Sequence, residues 1–186
     1  MKKVLFTSVF ALALVGCVTA SEVSTLVPQS INSVDSSSKL SQAVSVESLS
    51  AEASGAYKNQ VSDEALASAL KEALSQNGML ATEGAAYTVI PNVVDLKQPA
   101  IGIDMKVTAT VNYIVKDESG KIVMDKTIAT PYTAKMSEAF VGATRVKRAN
   151  EGAVRENISA FIADLTAWAD SPEAIAFSQT GFSVAP

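Results

Sequence analysis

A chain of 186 residues, 48% hydrophobic, supports one ordinary domain plus processing segments, and 19 acidic against 15 basic residues give a formal charge of −4. That balance, with no long basic stripe, argues against nucleic acid, whose affinity rests on phosphate neutralisation. No histidine is present, which removes the commonest general base and metal ligand, and a single cysteine cannot close an internal disulfide.

Met1-Lys2-Lys3 opens the chain with positive charge, and Val4 to Val15 is apolar except for Thr7 and Ser8. A run of about a dozen residues falls short of the ~20 that a bilayer-spanning helix needs and reads as a secretory leader. The junction Leu14-Val15-Gly16-Cys17 then resembles a lipobox. That resemblance implies diacylglyceryl transfer to the Cys17 thiol, cleavage before Cys17, and palmitate-type acylation of the new amine. One chain binds a membrane marginally, whereas two or three anchor it, each buried methylene contributing about 0.8 kcal/mol. The alternative is ordinary cleavage after Val18-Thr19-Ala20 with Cys17 discarded, but the only cysteine stands at the motif position. Val18, rather than Asp, follows the cysteine, and by resemblance to Gram-negative sorting this implies outer-membrane delivery, with the domain facing the periplasm. Loss of Lys2 and Lys3 leaves 13 basic against 19 acidic residues, a charge of −6. Membrane association is therefore expected through acyl chains, not through attraction to anionic head groups.

The expected organisation is a signal peptide over 1–16, a lipidated N-terminus and flexible tether over 17–41, a domain over 42–170 and a tail over 171–186. The tether assignment follows from a Ser, Val, Thr and Asn composition without a period, including Ser36-Ser37-Ser38. Its expected role is reach.

Weak alternation over Ala43 to Leu49 predicts a first strand. Ser62 can cap a helix with the inward stripe Leu66, Ala69, Leu70, Ala73 and Leu74. Val61 and Leu66 occupy staple positions, and Asn77-Gly78 closes the helix. Tyr87 to Val94 is β-branched, with Pro91 pointing to an edge or a bulge. From Ile101 to Val115 the odd positions are apolar and most even ones polar, which predicts a long strand with one buried and one wet face. Asp117-Glu118-Ser119-Gly120 is a turn, and Lys121 to Tyr132 returns with Ile122, Met124, Ile128 and Tyr132 in phase. A second helix begins between Ser137 and Arg145, with Val146, Ala149, Ala153, Val154, Ile158, Phe161, Ile162, Leu165 and Trp168 on its apolar side and Ser171-Pro172 as its stop. The fold class read from this order is α+β: a two-layer sandwich, an antiparallel sheet with two helices on one face, in the order β-α-β-β-β-α.

Catalytic signatures are sparse. Ser36-Ser37-Ser38-Lys39 fits S-x-x-K, but it lies in the tether stretch without S-D-N or K-T-G partners. Asp117 and Glu118 lack the ligand spacing of a calcium loop and are expected to solvate the hairpin tip. Asn157-Ile158-Ser159 is a formal glycosylation sequon on a core-facing helix. No enzyme, cofactor or metal site is assigned. Arg145, Lys147, Arg148 and Arg155, with Glu151 and Glu156, form a local basic cluster. Pairs at i,i+3 and i,i+4 explain it as a solvated helix face, at a few tenths of a kcal/mol each. The functional alternative is contact with an anion or a protein partner, because Arg forks suit phosphate and carboxylate groups. The second candidate surface is the wet sheet face, with Thr108, Thr110 and Asn112 and with Ile114 at one end.

Lipobox, polar tether, β-α-β-β-β-α order and a final Arg/Glu-rich helix together resemble small envelope lipoproteins. The layout is similar to the LptE-like lipoproteins that plug the outer-membrane lipopolysaccharide translocon and to auxiliary lipoproteins of ABC-type envelope transporters. The likeness spans roughly Ala43 to Trp168 as an order of elements, and only Leu14-Val15-Gly16-Cys17 is residue-specific. It implies a non-catalytic accessory role with an envelope protein partner and no nucleic acid. The rival expectations are direct binding of a lipid or glycan, and an enzyme of unrecognised type.

Overall fold

Residues 22–29, 33–49, 61–99 and 102–171 are described by the computed structural model of the chain. The leader, Cys17, Ile101 and the tail from Pro172 onward lie outside the described residues.

Two patterns in the sequence place most of the chain. Ser62 Oγ accepts from Ala65 N at 3.1 Å and starts α2 (Asp63–Gln76). The stripe of Leu66, Ala69, Leu70, Ala73 and Leu74 is fully buried, with Val61 beside it. Asn77 caps the helix, and Gly78 follows at φ +70, a left-handed position where a side chain would be strained. The second pattern is the alternation of β3 (Met105–Asp117), whose Val107, Ala109, Val111, Tyr113 and Val115 are all fully buried.

Around these stand a short α1 (Val23–Leu26), β1 (Val44–Val46), β2 (Tyr87–Lys97), β4 (Ile122–Ala134) and the long α3 (Gly142–Ala169). The strands lie in the order β1-β2-β3-β4. α3 packs across β3 and β4, α2 packs on β1 and β2, and the two helices touch each other, forming one layer over one sheet face. The α+β sandwich is as expected, and so is the order β-α-β-β-β-α that follows α1, while α1 itself was not expected.

The sheet is mixed, not antiparallel throughout. β1 pairs parallel to β2, Val44 opposite Tyr87, while β2-β3 and β3-β4 are antiparallel. The connection decides this: α2 lies between β1 and β2, and a crossover through a helix returns the chain in the same direction. Pro91 sits where expected. β1 covers β2 only from Tyr87 to Val89, so Pro91 lies on open edge, a bulge follows between Val93 and Asp95, and Asp63 Oδ1 caps the next outward amide, Val93 N, at 3.0 Å.

Two boundaries and the phase of one strand differ from expectation. The expected tether is not all tether. Leu26 and Leu40 are fully buried, Val34 N donates to Asn77 O at 3.0 Å, and Gln42 N donates to Gly78 O at 2.9 Å. A four-residue helix buries Leu26 and a turn buries Leu40, and elements that short leave no period to read. β3 begins at Met105, because its last ladder partner is Ala134, and Ile103 therefore remains in solvent. On β4, a register shift between Val115 and Lys116 sets Ile122 opposite Lys116, whose side belongs to the wet face, so Ile122 is exposed.

The layers are joined by a buried polar node. The Tyr113 and Phe161 rings stack at 4.0 Å and 7°, and Tyr113 OH donates to Asn157 Oδ1 at 3.0 Å. Asn157 Nδ2 donates to Ala109 O, Ile128 O and Thr130 Oγ1, and the Thr130 hydroxyl donates to Ala153 O. One asparagine thus ties α3 to β3 and β4. Burial raises the Tyr113 phenol well above its ordinary value.

Candidate functional site

The four basic positions singled out on α3 fall into separate tasks. Arg145 is buried, 8% exposed, and its Nη1 donates to Ala139 O at 2.6 Å and Phe140 O at 2.8 Å. Arg148 Nη1 donates to Glu138 O. Both therefore hold the loop that enters their own helix. Arg155 lies apart from them: its Nη1 donates to Thr25 O at 2.8 Å and its guanidinium stands 5.9 Å over the Tyr132 ring. Lys147 reaches Glu151 Oε1 at 3.9 Å, the expected i,i+4 pair. The structure brings Arg145 and Arg148 together on one loop and directs Arg155 to α1.

That loop is built from local pairings. Glu138 N donates to Lys135 O at 3.0 Å, and Lys135 N donates back to Glu138 Oε1 at 2.9 Å. Tyr132 OH meets Glu138 Oε2 at 3.5 Å, and Met136 N donates to Asp104 Oδ1 at 3.1 Å. The Tyr132 ring can lie on α3 because position 152 is glycine; a Cβ there would fall 2.4 Å from Tyr132 Cδ1.

The loop carries a feature that the sequence reading passed over. Met136, Phe140 and Val141 are exposed, and so is Ile103 beside Asp104. For Met136, Phe140 and Val141 the signal was available as large apolar residues between two elements in phase with neither.

The opposite sheet face carries Thr108, Thr110, Asn112 and Ile114, all half-buried and, among the described residues, under no helix. Asn112 Nδ2 crosses to Asp125 Oδ1 at 2.8 Å and Thr127 Oγ1 at 3.2 Å, so part of this face is already engaged with itself.

The remaining motifs serve turns. The Asp117 carboxylate accepts from Ser119 Oγ at 2.6 Å, Ser119 N at 2.9 Å and Lys121 N at 3.0 Å. The Ser119 hydroxyl, with these amides and the nearby Lys121 charge, holds it below the usual carboxylate range. Asp-x-Ser-Gly is thus an Asx turn, more than the solvating tip that was expected. In the Ser36 to Lys39 stretch, the Asp35 carboxylate accepts from Ser37 Oγ and Ser37 N, and Ser38 Oγ accepts from Leu40 N at 3.3 Å. Asn157, the sequon residue, is fully buried in the polar node. Among the described residues no group of three or more His, Cys, Asp or Glu is placed to hold a metal, and no helix is long and apolar enough to cross a membrane.

No family model and no curated protein matches the chain. Solved structures do. A Xanthomonas campestris protein of the DUF330 family is similar at 11% identity and a TM-score of 0.55, over 82% of this chain and 97% of that one. A Caulobacter crescentus protein described as a lipoprotein is similar at 16% identity and 0.49, over 69% and 90%. A minor lipoprotein of Acinetobacter baumannii is similar at 13% and 0.46, over 69% and 94%. The first of these shows that the fold is an existing one.

Proposed function

We propose that the chain is a lipid-anchored envelope protein, acylated on Cys17, that works as a non-catalytic accessory component in envelope assembly or transport. One observation carries the anchor: a charged start, an apolar run too short to span a bilayer and Leu14-Val15-Gly16-Cys17 lead directly to a domain with a fully buried core. The absence of Asp after Cys17 supports the outer membrane as the destination, with the domain in the periplasm. One surface is offered to a protein partner, the Thr108, Thr110 and Asn112 sheet face; the arginines of α3 are engaged with carbonyls of the chain itself.

Mass spectrometry of the N-terminal peptide from the membrane fraction tests the anchor. The expected result is a peptide beginning at acylated Cys17, with Cys17→Ser accumulating as an uncleaved or soluble form. Mature protein that starts beyond Cys17 and occurs free in the soluble fraction would refute it. Photo-crosslinking probes at Thr110 and Arg148 then test the accessory role. Capture of one defined envelope protein is expected, and a retained small molecule without protein capture would move the assignment to a lipid or glycan carrier.

A further inference from the structure

The packing of α1 limits how far the domain can stand from its anchor. Leu26 is fully buried, Val27 nearly so, and Thr25 O is held by Arg155, so the chain belongs to the domain from α1 onward. Cys17 precedes Glu22 by five positions. A fully extended chain covers at most ~3.6 Å per residue, which places an acylated Cys17 within roughly 18 Å of Glu22. The domain is then held at the surface of its bilayer.

The next contacts say which side faces that surface. The guanidinium that takes Thr25 O stands 5.9 Å over the Tyr132 ring, and the Tyr132 hydroxyl meets the Glu138 carboxylate at 3.5 Å. With ordinary covalent dimensions along that path, Thr25 O lies within roughly 16 Å of Glu138. Glu138 belongs to the loop between β4 and α3, where Phe140 is 85% exposed, Val141 64% and Met136 48%, and Ile103, 73% exposed, joins them through the bond from Met136 N to Asp104. Arg145 and Arg148 brace the loop backbone, so these side chains are presented on a fixed support. Lys135 adjoins Met136, and Lys106 is paired with Thr133 on the neighbouring strand end. At the hairpin end of β3, roughly 40 Å away at strand rise, the acids Glu47, Asp117 and Glu118 gather around Lys116.

We infer that Ile103, Met136, Phe140 and Val141 form a bilayer-contact element that seats in the interface of the membrane holding the acyl chains, with Lys106 and Lys135 at the level of the lipid phosphates. The inference rests on the lipid-anchored reading and deepens it. An exposed apolar patch on a soluble domain marks a membrane or a protein contact. The short lead from the anchor selects the membrane, where apolar side chains enter the head-group boundary; the acids of this end, Asp104 and Glu138, are turned to Met136 N and Lys135 N, which leaves Lys106 and Lys135 to meet phosphate.

The chain has one cysteine, and acylation consumes its thiol, so single-site labelling of the lipidated full-length protein is available. Phe140→Cys and Glu118→Cys, each carrying an environment-sensitive fluorophore, are reconstituted into vesicles of phosphatidylethanolamine and phosphatidylglycerol. Emission from position 140 is expected to shift to the blue and to be quenched by brominated lipid several-fold more than emission from position 118. Equal quenching at both positions, or none at 140, in protein that floats with the vesicles and carries the acyl mass overturns the contact and leaves the anchor intact. Protein that neither floats nor carries that mass overturns both.

Discussion

Gly152→Ala is a test of sign. In an ordinary helix interior the change stabilises by about 1 kcal/mol, because alanine has the better helix propensity. In α3 the new Cβ would lie 2.4, 2.5 and 2.6 Å from Tyr132 Cδ1, Cγ and Cε1, distances no real contact tolerates. The ring must swing away, and overpacking of this kind costs about 1–3 kcal/mol. A displaced ring also loses its place under the Arg155 guanidinium, which contributes about 0.5–1 kcal/mol at a partly exposed site. The opposing effects leave a net loss of about 0.5–3 kcal/mol. Urea unfolding of the purified protein should show a lower midpoint at an unchanged slope. In a Tyr132→Ala background the obstacle is gone, and the same Gly152→Ala change should stabilise by about 1 kcal/mol. A higher midpoint for Gly152→Ala alone would refute the seating of Tyr132 on the helix.

The other predictions follow from single contacts. Asn157→Ala strips partners from the Tyr113 hydroxyl and two strand carbonyls and should cost about 2–4 kcal/mol; Tyr113→Phe added to it should cost less than it does alone, measured as a double-mutant cycle. Asp63→Ala removes both the partner of Val93 N and an acid from the first turn of α2, for a loss of about 1–2 kcal/mol by thermal unfolding; an unchanged Tm would show that the β2 edge amide finds water at no cost. The Asp117 value is lowered on folding, so its support of the hairpin turn is complete above the ordinary aspartate range and is lost as pH falls through the depressed value. Amide shifts of Ser119 and Lys121 should titrate together below that range and stay flat in Asp117→Asn; a midpoint at or above the ordinary value would contradict the Asx geometry.

Where an element's residues face one layer along their whole length, the sequence announces it. The cap at Ser62, the Leu66 to Leu74 stripe and the alternation of β3 were legible because helical and strand periods expose core contact directly. The strand direction of β1 was not, since three residues carry no sign of which neighbour they join. Leu26 and Leu40 were hidden for a related reason: one fills the core from a four-residue helix and the other from a turn, and a polar, Ser-rich surrounding reads as tether. Ile103 misled in the opposite way. It continues the alternation of β3 beyond the point where β4 offers a partner, and a period in sequence is not yet a ladder. At the basic cluster, the Lys147 to Glu151 pair was legible from spacing alone. The arginine contacts were not, because their acceptors are backbone carbonyls at Glu138, Ala139, Phe140 and Thr25, which no residue type signals.

The carbonyls of residues 138–140 also explain why two arginines, Arg145 and Arg148, are tolerable where they stand. A helix N-terminus carries partial positive charge, so cations in the first turns are ordinarily unfavourable there. α3 has no acid in its first turn and no side-chain cap at Val141. The compensating negative ends are the carbonyl dipoles of residues 138–140, which Arg145 and Arg148 draw against the start of the helix. At position 145 a single nitrogen, Nη1, serves both Ala139 O and Phe140 O, so one donor group ties two successive carbonyls to the helix. The loop is consequently rigid because the charge is there, and the charge is tolerated because the loop folds back on it. An anion approaching this face would have to displace intramolecular acceptors already in place. What the arginines hold outward, Phe140 and Val141 on a braced backbone, requires no such displacement, and for that reason the contact surface at this end of the domain is assigned to the loop and not to the cluster beneath it.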